Sequence, residues 1–181
     1  MNQVYLQAGY IQMSNSEAAV RAIVKLYNRV VLTARLARLW STLGRRPAHL
    51  LSLGDIEHTH TIQNRHHAGI QVVPIRQIVG SENRCLDFDA GFRPLQEHNK
   101  DRWLRVAGAR QRGIPLPPVE LVQVGERYYV RDGHHRISVA RAMGEDYVEA
   151  EVLVWEVQPS GQEKPAGAGR PADQTLGWAN A

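Results

Sequence analysis

The sequence predicts an α/β protein, a small mixed sheet with packed helices preceded by a basic helical segment. Three observations predict it. Residues 14–43 hold neither glycine nor proline and carry apolar residues at helical spacing. From Ile70 to about Val157, short β-branched runs alternate with helix-like patterns. The positive charge collects in the first of these regions. A length of 181 residues with 43% hydrophobic content fits one domain with an appendage, not two domains.

Taken in order, the chain begins with a helical segment in residues 1–50. Ser14 or Asn15 serves as N-cap and Glu17 sits in the first turn. Val20, Ile23, Val24, Tyr27, Val31 and Ala34 form an apolar stripe opposite Arg21, Lys25 and Arg29. The apolar arc then moves to another side for Leu36, Leu39, Trp40 and Leu43. This predicts either a break near Thr33 to Arg35 or one long helix with two different partners. Gly44 and Pro47 end the helical pattern. Residues 51–69 form a histidine-rich connector to which the pattern assigns no regular structure. The domain proper occupies residues 70–157, with a strand at Ile70 to Ile75 and a helix at Leu95 to Arg112. Strands at Val119 to Val124 and Tyr128 to Arg131 are joined into a hairpin by Gly125-Glu126. A helix from Arg136 to Met143 stops at Gly144, and a last strand covers Tyr147 to Val157. Residues 158–181, rich in Gly, Pro and Ala, are expected to be a disordered tail.

Charge and composition narrow the function. With 22 Lys plus Arg against 18 Asp plus Glu, the net charge is +4. Residues 18–54 contain Arg21, Lys25, Arg29, Arg35, Arg38, Arg45 and Arg46 and no acidic residue, so this segment is +7 and the rest sums to −3. Such a segment attracts polyanions: nucleic acid (DNA or RNA) first, with anionic lipid or acidic protein as alternatives. There is no aromatic interleaving of the kind that stacks bases, so nucleic-acid binding here would be strongly salt-dependent and weakly sequence-specific. No apolar run approaches the roughly 18 residues of a membrane span, and the N-terminus has no signal-peptide pattern, so a cytoplasmic location is expected. The single cysteine, Cys85, cannot form an internal disulfide.

The chemistry concentrates in Asp132-Gly133-His134-His135-Arg136, where a strand ends and a helix begins at once. Glycine allows the sharp turn and brings the free amides of the helix N-terminus close to a ligand. Those amides together with Arg136 favour phosphate, and the histidines add donors whose charge changes near neutral pH. The same residues also fit a plain structural corner, with Asp132 capping the helix and Gly133 turning the chain. His58, His60, His66 and His67 invite comparison with a metal site. Alternate imidazoles on a strand can share a cation, but only Asp55 and Glu57 stand near as carboxylates, and no metal site is expected.

The run from Gly113 to Val154 resembles the ParB/sulfiredoxin superfamily in its order of elements: a Pro-containing strand, a Gly-turn hairpin, a Gly-x-x-Arg corner, a helix ending in Gly, and a final strand. Gly133, His134, His135 and Arg136 fall on the Gly-Glu-Arg-Arg box of ParB proteins and the Gly-Cys-His-Arg box of sulfiredoxins. Asp132 to Arg136 is similar to the Asp-Gly-His-Thr-Arg box of the free-serine kinases. Upstream, Val73 to Arg84 followed by Asp87-Phe88-Asp89 is similar to the first ParB box, a strand leading to a polar loop with an arginine. The resemblance covers residues 70–156. It implies a nucleoside triphosphate, CTP or ATP, held with Mg²⁺ by Gly133, His134, His135 and Arg136, with Arg84 as a further phosphate contact or as the partner of Asp87 or Asp89. In the alternative reading, a small-molecule phosphotransferase, Glu82 is the base and Asp132 lies near the metal. A third possibility is a scaffold that binds no ligand. His134 stands where sulfiredoxins have their nucleophilic cysteine, which argues against sulfinic acid reduction, and no acidic cluster supports nuclease activity. No helix-turn-helix pattern follows the domain, which argues against a full partition function; a homodimer remains open.

Overall fold

The helical segment and the domain join in one sheet-and-helix architecture, seen in a computed structural model that describes residues 2–43 and 49–160, with side chains for 17–40 and 49–160. The helix α1 spans Asn2–Leu43. It therefore starts before the expected cap at Ser14 or Asn15 and does not break at Thr33 to Arg35. Two faces, not two helices, explain the phase change. Ile23, Tyr27, Val30 and Ala34 are buried, while Leu36, Leu39 and Trp40, and also Val20, stay exposed. Arg45, Arg46 and residues 161–181 of the expected tail lie outside the described residues.

After α1 come β1 (Leu51–Ser52), α2 (Leu53–Thr59), β2 (His60–Pro74), β3 (Ile78–Ser81), α3 (Lys100–Gln111), β4 (Val119–Val124), β5 (Arg127–Asp132), α4 (His134–Ala142) and β6 (Tyr147–Pro159). Single 3₁₀ turns at Ile75–Gln77 and Glu97–Asn99 precede β3 and α3. The hairpin, both later helices and the last strand follow the sequence expectation to within a few residues. The histidine-rich connector does not. It supplies β1, α2 and the first ten residues of β2, which pairs antiparallel with β6 from His60↔Pro159 to Pro74↔Tyr147. Its strand character is hidden because β2 is a sheet edge with mostly polar, exposed residues, and register shifts at Ile62/Asn64 and His67/Gly69 break the two-residue period.

The sheet order is β1-β3-β5-β4-β6-β2. Strand β5 pairs antiparallel with β4 through the Gly125 turn and parallel with β3 on its other side. On one face Leu121, Val130, Ala150 and Val152 pack with Ile137 and Ala140 of α4. On the other, Val122, Tyr129 and Trp155 pack with Leu53 of α2. A third cluster holds the helices together: Ile23, Tyr27 and Val30 of α1 meet Trp103 and Ala107 of α3 and Val139 of α4. The Tyr27 ring stands edge-on to Trp103 with centroids 5.3 Å apart, and Trp103 Nε1 donates to Ser138 Oγ at 2.9 Å.

The histidines of the former connector are spread along these elements. His66 and His67 lie 3.7 and 4.0 Å from Glu156 and Glu151, and the His60 ring shares a hydrogen bond with Thr59. Among the described residues no group of three or more side chains is arranged to hold a metal.

Candidate functional site: a cationic cleft at the end of β5

Parallel pairing of β3 with β5 sets Ser81 beside Val130, so the loop after β3 and the start of α4 lie side by side. The two sequence boxes thus meet through the sheet. Gly133, the residue before α4, adopts φ +100°, a conformation that side chains rarely take. A Cβ there would also stand 2.6 Å from Val119 Cγ1. Glycine is required at this junction on both counts, and α4 can start directly behind the strand.

Ser81 locks the junction from the other side. Its Oγ accepts from the amides of Asn83 at 3.3 Å and Arg84 at 2.9 Å. With both lone pairs turned to those amides, the hydroxyl hydrogen is left for His134 Nε2, 2.7 Å away. Phe88 stacks on His134 with centroids 5.7 Å apart and meets the His135 ring edge-on at 5.4 Å. Both histidines are buried, and His135 Nδ1 has no hydrogen-bond partner.

This packing overturns the expectation that the histidines change charge near neutral pH. Burial, and after it the charge of Arg84, pushes the His134 pKa down to about 4. Burial and then Arg102 do the same to His135, also to about 4. Both rings are neutral at pH 7.

The histidines line a cleft of about 430 Å³ together with Asn83 and Arg84 from the loop after β3, Arg102 and Val106 from α3, Leu116 and Pro117, and the corner residues Arg131 to Arg136. Four arginines and one carboxylate, Asp132, face it. The arginines are not equivalent. Arg136 donates to the carbonyls of Pro117 at 2.6 Å and Pro118 at 2.7 Å and to Asp132 Oδ2 at 2.5 Å, so it ties the loop before β4 to α4. Arg131 is held by both oxygens of Glu82, at 3.1 and 3.2 Å. Arg84 lies 3.7 Å from Asp87, a loose pair. Arg102 makes no ion pair among the described residues and raises the positive potential around His135.

All of the expected phosphate contacts, Gly133, His134, His135, Arg136 and Arg84, therefore converge on one cleft, but Arg136 is already engaged there in holding the backbone. Glu82 and Asp132, the carboxylates of the phosphotransferase alternative, are each paired with an arginine. Two residues escaped the sequence reading. Arg131 precedes Asp132 directly and could have been noticed. Arg102 gives no local signal; it reaches the cleft because its neighbour Trp103 anchors α3 to Ser138 of α4. The basic residues of α1 divide: Arg21, Lys25 and Arg29 are exposed, with Arg21 3.1 Å from Glu17, whereas Arg35 and Arg38 line a groove between α1 and residues 94–97 together with Lys100.

Among solved structures the chain is similar to a sulfiredoxin. That protein, from Arabidopsis thaliana, matches with a TM-score of 0.36 and 14% sequence identity over 46% of this chain and 82% of its own. No protein-family model matches the sequence, and no curated protein does. The likeness to sulfiredoxin is one of chain path over about half the molecule, and what the cleft can bind follows from its own residues. The chain's only thiol, Cys85, hydrogen-bonds to the carbonyls of Leu51 and Ser81, and burial raises its pKa, which disfavours the thiolate a nucleophile needs.

Proposed function

We propose that the cleft between the loop after β3, α3 and the start of α4 binds the phosphate groups of a nucleoside triphosphate, CTP or ATP. One observation carries the reading. Arg84 and Arg102 flank the N-terminus of α4, where helix amides are free to donate, in one cleft. Phosphate oxygens would satisfy both kinds of group. Arg136 and Gly133 serve this site by shaping it, the first by tying down Pro117 and Pro118 and the second by letting the backbone turn.

A divalent cation held by the protein itself fits poorly, because the lining carboxylate Asp132 is paired with Arg136 and nearby Glu82 with Arg131. Mg²⁺ would then arrive on the nucleotide's own phosphates. The phosphotransferase alternative would require Glu82 to release Arg131 before it could take a proton.

Thermal unfolding with CTP, ATP and inorganic tripolyphosphate tests the proposal. A ligand at about 100 times its Kd adds roughly 2.7 kcal/mol, or a rise of about 5 to 10 °C in Tm for a chain of this size. Arg102→Ala and Arg84→Ala should each weaken binding roughly tenfold, as loss of a charge-assisted hydrogen bond of about 1.5 kcal/mol does. No stabilisation by any of the three ligands would remove the proposal.

A further inference from the structure

The outward face of α1 combines two features that the cleft does not use. At about 100° per residue, Leu32, Leu36 and Trp40 lie on the side of α1 opposite Ile23, Tyr27, Val30 and Ala34, the residues that bury themselves against α3 and α4. They are 56%, 47% and 75% exposed, and Leu39 beside them is 63% exposed. About three turns earlier the same outward side carries Arg21, Lys25 and Arg29. Large apolar side chains at i, i+4 and i+8 are normally covered, and a run of them in water marks a surface that meets something.

We propose that this face of α1 lies on an anionic membrane surface, with Leu32, Leu36 and Trp40 inserted at the level of the lipid headgroups and Lys25 and Arg29 against lipid phosphates. Charge decides among the occupants. A second copy meeting through α1 would offer these cations no carboxylate from residues 18–54, which hold no Asp or Glu, and would set like charges against each other with the helices parallel. A nucleic acid would satisfy the cations but leave three large apolar side chains in water. An anionic bilayer takes both, because its interface accepts apolar and aromatic side chains and its phosphates attract the cations. The helix lies on the surface and does not cross it: among the described residues no helix is long and apolar enough to span a bilayer. The packing of Tyr27 on Trp103 and a hydrogen bond from Arg93 to the Thr33 carbonyl at 3.0 Å hold α1 on the body with this side outward.

Co-sedimentation of the full chain with phosphatidylcholine vesicles, with and without phosphatidylglycerol, tests it. Partitioning should rise roughly tenfold or more with the anionic lipid and fall with added salt. Tryptophan emission should shift to the blue on binding, and Trp40→Phe should abolish that shift while leaving Tm unchanged. Leu36→Ser with Trp40→Ser, which alters no charge, should lower partitioning by about tenfold or more. Three results would overturn the proposal: equal partitioning to both vesicles, partitioning unaffected by the two serine substitutions, or a dimer in sedimentation equilibrium that those substitutions convert to monomer. A fourth, duplex DNA binding abolished by the same uncharged substitutions, would overturn it too and assign the face to nucleic acid.

Discussion

At the scale of single residues, the corner turns on histidines that are kept neutral. His134 receives the Ser81 hydroxyl hydrogen and stacks on Phe88, and His135 is enclosed beside Arg102 and Arg84. In the unfolded chain each titrates near 6.5, and in the folded chain near 4. Protons therefore bind the unfolded state more readily. The stability that the neutral rings contribute is complete above pH 6.5 and is lost as pH falls toward 4, on the order of 3 kcal/mol per ring. Denaturant unfolding between pH 7.5 and 4 should show this decline, and NMR titration of the two rings should place both midpoints well below 6. Midpoints near 6.5 would contradict the packing described. Tripolyphosphate in the cleft should raise both midpoints, because an anion offsets the arginine charge that helps to keep the imidazoles neutral. The presence of Gly133, His134, His135 and Arg136 at one corner was legible in the sequence, as a turn residue followed at once by a helix start. Their protonation and hydrogen bonding were not, since Ser81 and Phe88 reach them from 53 and 46 positions away in the chain.

At the scale of elements, what was legible follows from how much of each element's environment is local. The β4–β5 hairpin carries its own signal in apolar strands around Gly125, and α4 in the stop at Gly144; both were placed closely. The strand at Ile70 to Ile75 caught the end of β2, but its first ten residues were missed because an edge strand with two register shifts buries too little to show a period of two. For α1 the periodicity identified the buried face but not how far along the helix it is covered, because α3 and Val139 of α4 supply a partner surface for only part of its length and Val20, Leu36, Leu39 and Trp40 stay exposed. That docking rests on few residues, with Tyr27 at the centre. Tyr27→Ala removes the edge-on contact with Trp103 and leaves a cavity, and is expected to destabilise the protein by about 3 kcal/mol in urea unfolding. A loss below about 0.5 kcal/mol, the size of an ordinary surface change, would mean that α1 is not held where the packing puts it.

At the scale of the whole molecule, a balanced sheet core and a strongly basic helix are joined through a single helical layer. Strands β4 and β5 lie inside the sheet and are covered on both faces by α4 and α2, whereas α1 meets the rest of the molecule mainly through α3. Regions that bury fewer contacts open at lower free energy than the core. Amide hydrogen exchange across a denaturant series should therefore find α1 opening before β4 and β5, with α3 and α4 between them. A phosphate ligand in the cleft touches the loop after β3, α3 and the start of α4, and it should slow exchange there and in the end of β5 while leaving α1 almost unchanged. Anionic vesicles should do the reverse, slowing α1 and leaving the corner alone. If nucleotide slowed α1 as strongly as α4, the two regions would open as one cooperative unit, and the separation of a phosphate-binding core from a surface-binding helix would have to be abandoned.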